Sequence, residues 1–531
     1  SGVAITKPGN RQRFCNLGRQ INQVETDKTI TTVTTDFTVL HRIIYHFMKT
    51  AIFLIALFCL VVPVRAQEIQ PGTRPDKTQR ELLKRGYGMF IHYGMNTFLD
   101  KDWSEGVEPA STYHPTQLDC DQWVRIAREA GFRYVVLVTK HHDGFCLWDS
   151  KYTDYDVASS PVPTDIIAAV AKACKKYGLQ LGLYYSLWDR HEPSYKEADF
   201  SRYVDYMAHQ LTELMSNYGP ICELWFDGGW DKPAQAWDIP RLYKLVKKLQ
   251  PHCAISTNQT IAYRENSNEI VPVELQTTDN RYYCQYFPSD FRLWDPKIAS
   301  SSDKKQYLYQ GKSYYLPFEH TICLSSEWNW FQKSTPIAPR ELDELEELFY
   351  WCTANQNTLV LNVAPDATGR IKENEANQII ALKNRLNLRK NKPFPTNGKT
   401  VSLQQEANVN SVWNNQIQEY GPQNVVDGGL QTRWASQIDC PELIIKLNER
   451  DKFNKISIFE YRDGLQNRIQ AYTIDIWQDN RWTTLYLSQS PMGACKVIHL
   501  PQTYQTSQIR LKVLAASAPP SIYEFSVIHK E

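Results

Sequence analysis

Between about residues 85 and 385, short β-rich apolar runs alternate with stretches whose apolar residues recur at helical spacing. That alternation predicts parallel strands joined by crossover helices. The runs GMFIHYG (88–94), YVVLVTK (134–140), LQLGLYYS (179–186), ELWFDG (223–228), 254–258, 321–325 and TLVLNV (358–363) predict strands, and 121–130, 165–177, 200–218, 240–250 and 340–354 predict helices. The count approaches eight βα units, so the expected fold class is α/β, a (β/α)8-like TIM barrel. A doubly wound open sheet is the alternative, because periodicity alone does not decide closure. Beyond residue 400 the pattern becomes one of short alternating runs, at 442–447, 455–461, 472–477, 482–487 and 508–513, which predict an all-β sandwich. Between the two, LRKNKPFPTNGK (388–399) breaks the apolar periodicity with two prolines and a glycine. The expected domains are a barrel over 67–387, a linker over 388–400 and a sandwich over 401–531.

The unbroken apolar run AIFLIALFCLVVPV (51–64) follows Met48 and Lys49 and precedes Arg65-Ala66. Its length suits the h-region of a signal peptide better than a spanning helix, which needs about 20 residues. Residues 48–66 are expected to be a signal peptide cleaved after Ala66, with 1–47 an extraneous segment ahead of it; a membrane anchor is the competing reading. A secreted or periplasmic protein with no membrane span in its mature form follows. Lys and Arg number 59 against 58 Asp and Glu, a formal charge of +1, which argues against a nucleic-acid partner. Ten cysteines follow the presumed cleavage site with no CxxC pair, so few or no disulfides and no zinc ribbon are expected.

In a barrel the C-terminal strand ends form the active face. Those ends carry His92; then Lys140, His141, His142 and Asp143; then Trp188, Asp189, Arg190 and His191; then Trp225 and Asp227. Histidines and a carboxylate suit zinc, but adjacent histidines on a strand end are expected to project in opposite directions. Hydrogen bonding to substrate hydroxyls is the simpler use, and no catalytic metal is expected. Asp227, in Trp225-Phe226-Asp227-Gly228-Gly229-Trp230, sits where glycines would let a ligand approach and aromatics would exclude water. It is a candidate nucleophile, and glycoside cleavage would need a second carboxyl.

The segments GMFIHYGMNTF, WSEGVEP, KHHDGFCLWDSKYTDYDV, GLYYSLWDRHEPSY, ELWFDGGW and TLVLNVAPDATGRI resemble, in order, the motifs of glycoside hydrolase family 29, the α-L-fucosidases. The resemblance covers about 300 residues. It implies a retaining double displacement with Asp227 as nucleophile and a fucose subsite lined by His92, Glu105, His141, His142, Tyr185 and Trp225. The substrate is expected to be a fucosylated oligosaccharide or glycoprotein glycan. KHHDGFCLW and WDRHEPSY look more like the subgroup acting on α-1,3/1,4-linked fucose. Three carboxyls compete as acid/base. Glu319, in LPFEHTI, resembles a Pro-x-Glu segment of that subgroup and is the first choice; Glu274, in VPVE, and Asp279, on a variable loop, are the others. A departure from the pattern, Glu327-Trp328-Asn329-Trp330-Phe331 for the usual Gly-Trp-Phe, accompanies this region. An inactive barrel acting as a glycan-binding protein is the alternative function.

Residues 424–436, with Asp427-Gly428, Thr432 and Trp434, resemble the Asp-Gly-x-x-x-Thr-x-Trp segment of discoidin-like (coagulation factor 5/8 type C) domains. That resemblance implies a structural calcium with Asp427 as a ligand; a metal-free hydrogen-bonded turn is the alternative.

Overall fold

The structure, a computed structural model, describes residues 68–263, 273–275, 282–293 and 305–531. The segments expected at 1–47 and 48–66, and the candidate Asp279, lie outside the described residues. Residues 66–531 form one compact unit.

Eight parallel strands make the barrel sheet: β1 (Tyr87–Ile91), β2 (Tyr134–Lys140), β3 (Gln180–Ser186), β4 (Ile221–Asp227), β5 (Ala254–Thr257), β9 (Arg292–Leu293), β12 (Phe318–Cys323) and β13 (Thr358–Asn362). Their order is β5-β4-β3-β2-β1-β13-β12-β9, and a parallel bridge between Asn258 and Leu293 brings the two edges together. The expected barrel is therefore what forms, rather than an open sheet. Short strands β6 (Ile261–Tyr263), β7 (Val273–Leu275) and β8 (Tyr282–Cys284) belong to an insertion between β5 and β9, and β10 (Gln306–Tyr309) and β11 (Lys312–Tyr315) form a hairpin before β12.

Period-two alternation sorts side chains to the two faces of each strand. Phe90, Tyr134, Val136, Val138, Tyr184, Trp225, Leu293 and Val360 form one buried cluster, the barrel interior. Tyr87, Met89, Ile91, Val135, Leu137, Leu183, Tyr185, Leu224 and Phe226 belong to the cluster that packs against the surrounding helices. Glycine has a steric role inside: a Cβ on Gly88 would stand 2.5 Å from the Tyr134 ring. The crossover helices are amphipathic and capped as their sequences suggest. Ile166–Tyr177, for example, begins at Asp165, whose carboxylate accepts from Ala168 N, and ends at Gly178 with φ +70°.

The second domain is two antiparallel sheets. One holds Lys399–Thr400, Ser521–His529, Phe453–Glu460 and Cys495–Tyr504, with Trp434–Ala435 alongside; the other holds Ala407–Val409, Glu442–Lys446, Gln508–Ala516, Ile469–Gln478 and Arg481–Ser488. Trp434, Phe453, Ile456, Tyr472, Ile474 and Phe525 fill the space between them. The segment expected to be a linker packs rather than hangs free: Phe394 meets Phe349 edge-on at 5.3 Å and lies under the Arg133 guanidinium at 3.6 Å.

The sandwich seats on the barrel helix Leu342–Ala354. Lys455 Nζ, fully buried, donates to Glu346 (2.8 Å), Glu347 and Asn397 Oδ1 (2.7 Å). Arg385 Nε adds a second cation to Glu346 at 2.5 Å, and Asp343 accepts from Val497 N at 2.9 Å. Among the described residues no helix is long and apolar enough to cross a membrane, and all ten cysteines are free. Replacing Lys455 by Met would leave two buried carboxylates short of a counter-charge. The expected loss is about 3 to 5 kcal/mol of stability, read as a lowered denaturation midpoint; an unchanged midpoint would show the cluster to be energetically idle.

Candidate active site

A cavity of about 360 Å3 opens at the C-terminal end of the barrel strands, lined by Phe90, His92, Trp103, His141, His142, Trp225, Asp227, Trp230, Asn258, Gln259, Trp328 and Trp330. Four of the residues expected from sequence at the strand ends therefore meet in one place: His92, His141, His142 and Asp227. Trp225 joins them from one tier deeper in β4.

Asp227 ends β4 and is 8% exposed. Tyr184 Oη donates to its Oδ2 at 2.7 Å and Asn258 Nδ2 to its Oδ1 at 3.1 Å, while His142 Nε2 stands 3.8 Å from Oδ2. Neutral donors thus fix the carboxylate's rotamer.

The hydrogen bonds set the three histidine tautomers. Asn362 Nδ2 donates to Trp330 O, so its Oδ1 accepts from His92 Nδ1–H at 2.8 Å and leaves Nε2 of His92 an acceptor. Asn96 Nδ2 faces the Asp143 carboxylate and also donates to His141 Nδ1 at 3.1 Å, which makes Nε2 of His141 a donor. Ser186 Oγ gives its proton to Trp188 O and accepts from His142 Nδ1–H at 2.7 Å, so Nε2 of His142 is an acceptor. All three rings are held neutral. Burial lowers His92 to about 3 and His142 to about 4, and burial followed by its imidazole neighbours takes His141 well below its ordinary value. One donor and two acceptors, with Asp227, is a set fitted to a ring of hydroxyls.

Four sequence expectations need correction. Tyr185 does not reach the cavity: it is on the helix-facing side of β3 and donates to Gln210 at 2.7 Å, while Tyr184 holds Asp227. One step along a strand reverses the face. Glu105 is 73% exposed in its side chain, bound to Arg190 at 2.8 Å, and does not line the cavity; Trp103, two residues earlier, does. Gly228 and Gly229 make room for protein rather than ligand, since a Cβ there would stand 2.7 Å from Trp188 and 2.4 Å from Tyr286 Oη. His141 and His142 do not diverge: β2 ends at Lys140, strand geometry lapses, and the rings lie 4.0 Å apart. Ligand atoms of His141, His142 and Asp227 come within 4.8 Å of one another, a spacing a cation would also accept.

Glu319 is not brought to Asp227 either. It lies in the first half of β12, 1% exposed, with Oε1 accepting from Trp225 Nε1 at 2.8 Å and Oε2 from Tyr134 Oη at 3.0 Å and Thr358 Oγ1 at 3.2 Å. Both oxygens face the barrel's lower interior. Glu274 lies in β7, on the insertion that leaves the cavity edge after Asn258 and Gln259. Residues missed by sequence reasoning were Tyr184, Asn258, Gln259 and the tryptophans 103, 328 and 330. Strand parity would have found the first.

In the sandwich, Asp427 accepts from Gly429 N at 2.7 Å and from Thr432 Oγ1, and the buried Glu524 accepts from Gly428 N at 3.2 Å and Ser526 Oγ at 3.0 Å. Burial raises both carboxyls, and the nearby charge of Asp427 raises Glu524 further. Two carboxylates and a hydroxyl around one turn form a hard-oxygen donor set that suits calcium.

A family model for α-L-fucosidase matches residues 103–389, and one for the F5/8 type C domain matches 406–525. Alpha-L-fucosidase 1 of Arabidopsis thaliana is 28% identical over 457 residues, covering 84% of this chain and 86% of the relative. A putative α-L-fucosidase 1 of Oryza sativa subsp. japonica is 26% identical over 471 residues, covering 85% and 84%. The fold is shared with the crystal structure of a putative α-L-fucosidase from Bacteroides thetaiotaomicron at a TM-score of 0.50 and 24% identity, covering 87% of this chain and 99% of that one. The barrel that carries Asp227 and its three histidines belongs to the α-L-fucosidase family of glycoside hydrolases (family 29), and the sandwich is an F5/8 type C domain.

Proposed function

We propose that this α-L-fucosidase releases terminal α-L-fucose with retention of configuration, Asp227 being the nucleophile. The observation that carries the reading is the Asp227 carboxylate, held by Tyr184 and Asn258 at the wall of an aromatic cavity beside three neutral imidazoles. His141 would donate to a fucose hydroxyl through Nε2, and His92 and His142 would accept from others. Trp225 and Phe90 offer apolar surface to the sugar face.

In the first step an Asp227 oxygen bonds to the anomeric carbon as the glycosidic C–O bond breaks, and the acid gives its proton to the departing oxygen. In the second, water attacks that carbon, the ester bond breaks, and the same acid, now a base, takes the water's proton. Esterification removes the Asp227 charge, so the partner's proton affinity falls when it must change role.

The acid is assigned to Glu274, ahead of Asp279. Glu319 is enclosed below the cavity with both oxygens occupied, whereas the insertion carrying Glu274 starts at the cavity edge. The motif forms support a preference for α-1,3/1,4-linked fucose, and residues 48–66 support export to the periplasm or medium. A calcium ion held by Asp427, Thr432 and Glu524 would neutralise two neighbouring carboxylates and stiffen the sandwich without entering the chemistry.

Asp227→Ala is expected to lower kcat by roughly three orders of magnitude or more, with azide restoring part of the turnover of an aryl fucoside as a fucosyl azide. In parallel, Glu274→Ala should spare aryl fucosides at the glycosylation step while slowing natural glycans by roughly 10² to 10⁴; equal losses on both would reject Glu274. Tyr184→Phe removes one hydrogen bond to a charged group and should reduce kcat/KM by about 10- to 100-fold, against less than about threefold for Tyr185→Phe, and the reverse ranking would overturn the placement of both. Chelation should lower the melting temperature by a few degrees and leave fucoside turnover unchanged, and Asp427→Asn should abolish the calcium-dependent shift.

A further inference from the structure

The inward positions of β4 are Glu223, Trp225 and Asp227, stacked from the bottom of the barrel to its mouth. Trp225 lines the cavity with its ring and donates its indole N–H downward to Glu319. Beneath it, Glu223 and Glu319 are both buried, and they lie close enough that burial and then the charge of Glu319 raise the Glu223 carboxyl well above its ordinary value. Among the described residues one cation faces them: Arg85, whose guanidinium reaches Glu223 Oε2 and Cys222 O at 3.3 and 3.2 Å. Among the described residues the remaining titratable neighbours are Tyr134, Cys222, Cys253 and Cys352, all neutral at ordinary pH because burial raises them.

Two negative charges against one positive charge in this dry layer would leave a net buried charge with no partner. Glu319 receives three donors, as an ionised carboxylate does, whereas Glu223 Oε1 is buried and receives none. An oxygen in that situation is satisfied if it carries the proton and donates it to Glu319. We propose that Glu223 and Glu319 form a proton-sharing pair that carries a single negative charge, neutralises Arg85, and holds the Trp225 indole as the floor of the fucose cavity. Glu319 is then a positioning residue that acts through Trp225. The function of the pair rests on the cavity being the fucose site; its charge state does not.

Single substitutions Glu223→Gln and Glu319→Gln each leave one carboxylate for Arg85, so each should fold with a melting temperature near the parent's. The double variant leaves Arg85 uncompensated and should lose far more stability than the two singles together. Adding Arg85→Met to it should restore most of that loss. Additive behaviour would overturn the single-charge pair whatever the active site does.

The positioning role is read separately. Glu319→Leu takes away the acceptor of the indole and should raise KM and the inhibition constant of fucose about tenfold with kcat little changed, and should have no further effect in a Trp225→Phe background. Equal effects in both backgrounds would overturn the link through Trp225. A Glu319→Gln enzyme that fails on natural glycans, keeps aryl fucosides and is rescued by azide would show Glu319 to be the acid instead.

Discussion

A charge removed from water must meet an opposite charge or lose its own, and the interior of this barrel is arranged around that requirement. Lys140 meets Asp189 at 2.6 Å and Lys247 meets Asp290 at 2.8 Å, each pair almost wholly buried. Arg85 meets the paired glutamates. Asp227 is the exception that matters. It is close to fully buried, yet its bonded partners are a phenol and a carboxamide, and the nearest imidazole is neutral. The three histidines can crowd round it because burial keeps protons off them.

The layers of the barrel follow from the same rule. Upward along the inner face of β4, Glu223 lies in a polar layer balanced by Arg85, Trp225 in an aromatic layer, and Asp227 in the reactive layer. The aromatic layer separates two carboxylate systems that would otherwise repel. Chain motifs written as short apolar words ending in polar letters are this layering seen along one strand at a time.

Much of it was legible. Five of the eight strands lie within a residue or two of where apolar runs placed them, the first ends three residues sooner than its run, and a seventh, 321–325, forms three residues early as Phe318–Cys323. That offset explains the misreading of Glu319: with the strand starting at Phe318, the glutamate is near its N-terminal end, away from the active face. The eighth strand, Arg292–Leu293, is two residues long with no apolar run to announce it, and closure depends on it through Asn258. His92, His141, His142 and Asp227 were recoverable because strand ends are a topological signal. Tyr185 was chosen over Tyr184 because a double tyrosine hides its parity unless the inward set of β3 is anchored by its neighbours. Trp328 and Trp330 come from an irregular loop, whose side-chain directions no period describes.

The segment 388–400 reads in sequence as a joint, yet the sandwich beyond it supplies Lys455 to two barrel glutamates that have been removed from solvent. The barrel surface thus depends on its appendage for a counter-charge. Shuffling this module onto another hydrolase, or trimming it away to obtain a minimal catalyst, would strand those acidic groups without their cation, so the two halves are expected to stand or fall as one cooperative unit.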